Sequence, residues 1–424
     1  MRIAYLCADR GIPLSGCKGA SIHVRAIAQA LAQRGHDVQV AAVRDTDGVP
    51  GFLPGITPVG FDRSLKDLKE SIRDAGGRVL ASEAYGLLLN SLCFDTLENI
   101  HRQGSIEAVY ERYSLWSTAG ARFAHKHRIP YVLEVNAPLV GEQRAYRDLA
   151  LPEVAEGIEA YLFRRADAIF VPSEELRDYI IGRVGLRPRV IAIPNGVDLR
   201  LFDEPPDLTG RDRERLENRF VIAFVGSLKP WHGIDSLLVA FERLKSSEPR
   251  AHLLVVGAGP LLPRVREEAE RLGEDAVTVV GAVPHQQVAA WLRYADVGVA
   301  PYPPLEDFYF SPLKVVEYLA AGLPVVASDI GQLPQLVAHE QTGLLVPPGD
   351  ATALAEALAR LCSDAKLRRR MGRRARRRAR AHHGWEQVAA RVDETLERLR
   401  GKYETGHPSA GKTSPVLVSA RGSR

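Results

Sequence analysis

Cysteine and methionine are scarce in this 424-residue chain, which has four of the first and two of the second. Cys7, Cys17, Cys93 and Cys362 lie far apart, without a CxxC pair or a Cys/His spacing. Neither a disulfide framework nor a zinc site is expected, and a reducing cytoplasm is the simplest home. No run approaches 18 consecutive apolar residues, so no segment reads as a membrane-spanning helix. The opening MRIAYLCADR reads as a buried strand, because a secretory signal needs a longer apolar core. What is present is ordinary for a folded protein: 46% hydrophobic and 25% charged residues exclude a disordered or fibrous chain. The length is twice that of a usual compact domain, so two domains are expected.

Lysine is also short, at ten of the 56 basic residues. The formal charge of +4 is unevenly placed. Residues 366–380 hold ten basic side chains and no acidic one, so the rest of the chain stands at −6. The segment reads as helical, with Ala and Arg alternating in no clean apolar stripe. Its charge fits contact with an anionic membrane surface or a lipid-linked phosphate. No aromatic interleaving or recognition motif points to nucleic acid, and a solvated arginine-rich helix is the plain alternative.

Apolar runs of strand length alternate with segments of helical period. IAYLCA (3–8), HDVQVAAV (36–43), AVYER (108–112), PYVLEV (130–135), AIFVPS (168–173) and RVIAIP (189–194) form a first series. FVIAFVG (220–226), HLLVVG (252–257), VTVVG (277–281), VGVAP (297–301) and PVVAS (324–328) form a second. These strands are apolar on both faces, as a parallel sheet covered by helices on both sides requires. The reading is α/β: a doubly wound domain over 1–200, a polar Pro-rich linker over 201–218, and a second doubly wound domain over 219–381. A helix over 382–400 and a Gly/Ser/Thr-rich, disordered tail over 401–424 complete the chain. In such sheets ligands bind at the carboxyl ends of the strands, so a cleft between the domains is the expected site.

Three short patterns fail on context. GHPSAGKT (406–413) matches the phosphate-loop formula, but no strand precedes it and only eleven residues follow. Asp45-Thr46-Asp47 resembles a metal-binding DxD but has no further acidic partner, so a solvated turn is expected. Gly257-Ala258-Gly259 follows a strand, yet Leu262 stands where a dinucleotide fingerprint needs its third glycine.

Six further elements occur in order: the Gly-rich N-terminal loop with RGHDVQV, RRADAIFVPSEEL, IPNGVD, FVGSLKPWHGIDSLLVAFERL, LVVGAGP, and SPLKVVEYLAAGLPVVASD. Together they resemble the GT-B glycosyltransferases of family 4, retaining nucleotide-sugar enzymes, over residues 1–400. The resemblance implies two facing Rossmann-like domains, with the donor on the C-terminal one and the acceptor on the N-terminal one. It implies a UDP-, GDP- or ADP-sugar donor, a hydroxyl acceptor, no cofactor and no metal. It also implies that the last helix crosses back to the N-terminal domain.

Each element has its own physical reading. Gly16 and Gly19 precede a helix, where backbone amides suit a diphosphate; a plain crossover loop carrying Lys18 is the alternative. Ser311 is a plausible N-cap and Pro312 a pre-organised helix start, which brings the Leu313 and Lys314 amides toward phosphate. By resemblance Glu317 accepts hydrogen bonds from ribose hydroxyls; a helix-dipole carboxylate is the other reading. By the same resemblance the family has two glutamates separated by seven residues; the first, which contacts the donor sugar, falls on Tyr309, so Glu306 or Asp307 would have to serve that space. In GSLKPWHG the family's two cations are replaced by Ser227 and His232, leaving Lys229, a protonated His232 and Lys314 to neutralise the diphosphate. Trp231 reads as packing on the helix that follows. Acceptor-side candidates are His23, Glu111-Arg112-Tyr113, Glu134 and Asn136. Asn136 stands where the family often has histidine, and Glu134 is either a base toward the acceptor hydroxyl or a buried structural carboxylate. Asn195 and Asp198 read as caps of the interdomain turn. A sugar-nucleotide epimerase or hydrolase, and a non-catalytic binding subunit, are the alternative functions.

Overall fold

The computed structural model describes residues 1–16, 19–44, 51–60, 62–186, 189–273, 275–306 and 308–405. Cys17, Lys18, Asp45-Thr46-Asp47, Asp307 and the 406–413 motif therefore lie outside the described residues.

The expected α/β architecture is present, with two fully parallel sheets. The first comprises β1 (Arg2–Cys7), β2 (Asp37–Ala42), β3 (Gly55–Pro58), β4 (Ala108–Arg112), β5 (Tyr131–Glu134), β6 (Ala168–Val171) and β7 (Arg189–Ala192). Their spatial order is β3-β2-β1-β4-β5-β6-β7. The second comprises β8 (Phe220–Val225), β9 (Ala251–Val256), β10 (Val277–Gly281), β11 (Val297–Ala300), β12 (Val325–Ser328) and β13 (Gly343–Val346), ordered β10-β9-β8-β11-β12-β13. Edge strands β3 and β13 escape the sequence reading. Each is only four residues, GITP and GLLV, with glycine in both and proline in β3, too short for a period to show.

Each sheet reverses its winding once, between β1 and β4 and between β8 and β11, and a crevice opens at the carboxyl end of each switch. Helices cover both faces. Gly19–Gln33 and Trp385–Glu404 pack on one side of the first sheet, and Arg63–Gln103 with its neighbours on the other. The final helix buries Val388, Ala389, Val392, Leu396 and Leu399 against that N-terminal core. Asp393 anchors it further, taking the guanidinium of Arg34 and, at 2.9 Å, His36 Nε2. The chain crosses between the halves twice, and the crossings are adjacent: the Val197 amide donates to His383 O (2.7 Å) and the Trp385 amide to Val197 O (3.3 Å). The stretch between the halves carries two short helices, Arg200–Asp203 and Gly210–Leu216, whose Phe202 and Leu216 enter the second core.

The basic segment forms the helix Ala365–His382 and corrects one reading. An apolar stripe exists: Leu367, Met371, Ala375 and Ala379 are buried at i, i+4 spacing. Two of its four members are alanines, which carry little hydrophobic contrast in an arginine-rich run, so the sequence pattern does not show it. Arg376 and Arg380 bind Asp203, Arg378 donates to Gln335 O and Leu336 O, and Arg368 pairs with Asp296. Four of the ten cations therefore hold the fold.

Candidate active site

At the end of β8 the chain turns at Gly226 with φ of 127°, a conformation that favours glycine. A Cβ there would sit 3.3 Å from Lys314 Cε. Lys314 is in the first turn of the helix Leu313–Ala320, and it reaches back beneath this turn. Its Nζ lies 3.9 Å from the Phe224 ring centroid and 5.5 Å from that of Tyr302. The residue is 7% exposed, and Nζ has no hydrogen-bond partner among the described residues. Burial pulls its pKa down to about 7, with Glu317 opposing. A buried ammonium without an acceptor is costly, so the place is built for an anion.

No side chain caps this helix, which begins after Pro312. Ser311 is not the N-cap, because its hydroxyl accepts the Asn195 amide (3.2 Å) while its carbonyl accepts Asn195 Nδ2 (2.8 Å). Asn195 thus ties the halves together, and only Asp198 caps the interdomain turn, accepting the Arg200 amide (3.1 Å). Glu317 Oε1 pairs with His285 Nε2 at 2.7 Å. Burial lowers the His285 pKa, but the hydrogen bond and charge of Glu317 outweigh it and leave the pKa raised. The sequence reading missed His285, whose only signal is its place at the start of the helix after β10.

The other expected cations differ. His232 Nδ1 faces the Ser227 carbonyl, and burial, then Lys314 and Lys229, push its pKa down to about 3. It is neutral near pH 7, so it supplies no charge. Lys229 Nζ rests 5.3 Å over the Trp231 ring. The Trp231 ring meets that of Tyr146 of the N-terminal half at 5.6 Å between centroids.

Across the cleft, Gly19 abuts the Leu313 side chain, since a Cβ there would lie 3.2 Å from Leu313 Cδ1. The Gly16 amide is not free for phosphate, because it donates to Pro13 O (3.0 Å). His23, Arg112, Glu134 and Asn136 gather into one buried cluster. Glu134 Oε1 takes His23 Nε2, Arg112 Nη1 (3.2 Å) and Asn136 Nδ2 (2.5 Å), and its Oε2 takes the Tyr5 hydroxyl (2.9 Å). His23 Nδ1 faces Asn195 Oδ1 at 2.9 Å, so both ring nitrogens face acceptors. Burial raises the Glu134 pKa, but His23, Arg112 and Asn136 overcome it and hold it at about 2. A carboxylate this acidic and this engaged is no general base, which corrects that reading. The Glu111 and Tyr113 side chains are buried and do not join this cluster. Side chains two apart on a strand share a face, and these two point away from Arg112. Tyr113 donates to Glu159 (2.9 Å), and Glu111 accepts from Ser117 and Tyr131, its pKa raised to about 7 by burial.

Residues 209–378 match the profile of glycosyl transferases group 1, and residues 18–201 that of glycosyltransferase family 4. The D-inositol 3-phosphate glycosyltransferase of Streptomyces bingchenggensis is 30% identical over 322 residues, 71% of this chain and 69% of that one. The chain belongs to the family 4 glycosyltransferases. Glycogen synthase of Mycobacterium tuberculosis is 26% identical over 88% of this chain and 89% of its own. Sucrose-phosphate synthase from Thermosynechococcus elongatus superposes with a TM-score of 0.68 at 24% identity, over 94% of this chain and 99% of that one. HepE of Anabaena, solved in complex with UDP, gives 0.70 at 20% identity over 94% and 100%. These likenesses show the GT-B fold.

In this glycosyltransferase the position of the family's missing glutamate joins the two halves. The Tyr309 hydroxyl donates to Glu142, and its carbonyl accepts Ser173 Oγ (3.0 Å). Glu306 is exposed. Among the described residues no group of three metal-ligating side chains is gathered, and no helix is long and apolar enough to cross a membrane.

Proposed function

We propose that this glycosyltransferase moves a sugar from a UDP-, GDP- or ADP-linked donor to a hydroxyl acceptor with retention of configuration. The observation that carries this reading is the buried, unpartnered Lys314 ammonium beneath Gly226, next to an uncapped helix start. A diphosphate placed there receives one full positive charge and the amides of the first turn. One Glu317 oxygen is held by His285, which leaves the other for ribose hydroxyls. HepE of Anabaena has also been solved with UDP-glucose bound, which agrees with such a donor.

Glu134, at a pKa of about 2, leaves the acceptor without a carboxylate base from that cluster. The departing phosphate oxygen is then the best proton acceptor, on the same face from which the sugar leaves, and attack on that face retains configuration. Lys314 and the helix amides meet the leaving charge, so the reaction as read needs neither metal nor cofactor, and a chelator should leave turnover unchanged. Incubation with UDP-, GDP- and ADP-glucose and a panel of hydroxyl acceptors, followed by NMR of the product anomer, tests the reading. Retained α-configuration is expected. Donor hydrolysis or epimerisation at the same rate without acceptor overturns transfer, and absence of any nucleotide-sugar affinity overturns the donor site.

We also propose that the enzyme works in the cytoplasm and rests on anionic membrane through the helix Ala365–His382. Lys366, Arg369, Arg370, Arg373, Arg374 and Arg377 are exposed and form no hydrogen bond or ion pair among the described residues. Their spacing sets them on one face about 17 Å long, opposite the buried Ala375 and Ala379. Sedimentation with phosphatidylglycerol-containing vesicles should capture the protein at low salt and release it at high salt. Equal binding to purely zwitterionic vesicles, or none to either, counts against this contact.

A further inference from the structure

A cavity of about 650 Å³ opens in the N-terminal half at the carboxyl end of β1. Its walls come from residues 8–11, the helix Arg63–Gln103, the turn 114–117 and the helix Leu139–Tyr146 with the two residues beyond it. Glu142, the partner of Tyr309, stands in its wall, so the cavity adjoins the donor cleft. The size suits a sugar-sized molecule, and the half-buried Trp116 offers a ring face.

The ionic groups in this cavity are unequally committed. Three of its four carboxylates are already bound. Asp9 holds the Gly11 amide (2.6 Å), Glu83 the amides of Ala150 and Leu151 (3.0 and 2.9 Å), and Glu142 the Tyr309 hydroxyl. The guanidinium groups are largely unspent. Arg10 uses Nη2 on Ser82 (2.9 Å), leaving Nε and Nη1, while the side chains of Arg78 and Arg147 make no hydrogen bond or ion pair among the described residues. Burial lowers the Arg10 pKa, with Tyr85 and Asp9 opposing and Arg44 adding a little to the fall. The long helix breaks at Gly77 (φ 82°), and Arg78 and Val79, which open its second segment, line the cavity.

We infer that this cavity holds the acceptor and that the acceptor is a hydroxylated molecule bearing a phosphate group, which Arg10, Arg78 and Arg147 receive. The inference rests on the transferase reading above and adds the chemical class of the acceptor. Phosphate matches guanidinium donors in a bidentate way that a neutral sugar cannot.

Titration calorimetry of the full chain saturated with UDP tests it, with glucose 6-phosphate, glucose and a detergent-dispersed polyprenyl-phosphate-linked hexose as probes. Glucose 6-phosphate should bind at least about ten-fold more tightly than glucose. The double variant R78A/R147A should remove that advantage while keeping its melting temperature and UDP affinity, since both side chains are exposed. Equal affinity for glucose and its phosphate, or an advantage that survives the double variant, overturns the inference. A tighter fit for the lipid-linked probe supports it and assigns the phosphate to a lipid; a tighter fit for the free phosphate supports it and assigns a soluble acceptor. Loss of UDP affinity in the unaltered protein would instead sink the donor reading and leave the phosphate preference to be read separately.

Discussion

Replacing Lys314 by methionine should lower kcat/KM for the donor by roughly a hundred- to a thousand-fold, the size expected when a pre-placed charge on a leaving group is removed. The same change should leave the melting temperature equal or slightly higher. Nζ is buried without a partner, so a side chain of similar length without the charge removes a desolvation cost and leaves the Phe224 contact in place. Few substitutions separate activity from stability so cleanly. A lysine that merely packed would show the reverse pattern, with lower stability and intact turnover.

The pH dependence sharpens this expectation. Lys314 titrates at about 7 in the empty site, because burial disfavours its charged form. A bound diphosphate supplies the missing anion and must raise that pKa. Below pH 7 the site is charged beforehand and donor affinity is flat. Above it, binding takes up a proton and affinity falls by up to about ten-fold per pH unit. Calorimetry with a nucleotide sugar in buffers of different ionisation enthalpy reads that proton directly. In K314M the uptake should vanish; if it persists, another group carries it.

Replacing Glu134 by glutamine should destabilise the protein by about 3–5 kcal/mol, the cost of leaving the buried Arg112 guanidinium without its carboxylate. Arg112 and His23 would be left facing a neutral amide at the end of β5. The pH profile of the native protein follows with a definite sign. Glu134 has a folded pKa of about 2, below its unfolded value, so its contribution is complete above about pH 4.5 and is lost as pH falls toward 2. Thermal melts between pH 7 and pH 3 should show this loss in the native protein and a smaller one in E134Q. A collapse of turnover with an unchanged melting temperature would restore Glu134 as a base and remove the argument for the leaving phosphate.

Tyr309 links these two sites. A glutamate at this position would present a charge to the donor sugar; tyrosine instead spends its hydroxyl on Glu142, in the wall of the arginine-lined cavity. Together with Asn195–Ser311 and Trp231–Tyr146, this hydrogen bond is one of several contacts that meet in the cleft from opposite halves.

Much of this protein was legible from its residues alone. Strands apolar on both faces, spaced by helical segments, specify doubly wound parallel sheets whatever their detailed packing, and SPLKVVE placed Lys314 and Glu317 on one helix start. The strand period also puts Glu111 and Tyr113 on one face and Arg112 on the other. Only the tertiary structure decided the rest. Whether His232 is charged, whether Glu134 can take a proton, and whether Lys314 has an acceptor depend on burial and on partners from strands and helices far apart in sequence. The pairing of His285 with Glu317 spans 32 residues, and that of Tyr309 with Glu142 spans 167. Local sequence sets backbone geometry through short-range sterics, but ionisation follows from desolvation and from charges a few ångströms away, which chain folding alone brings together.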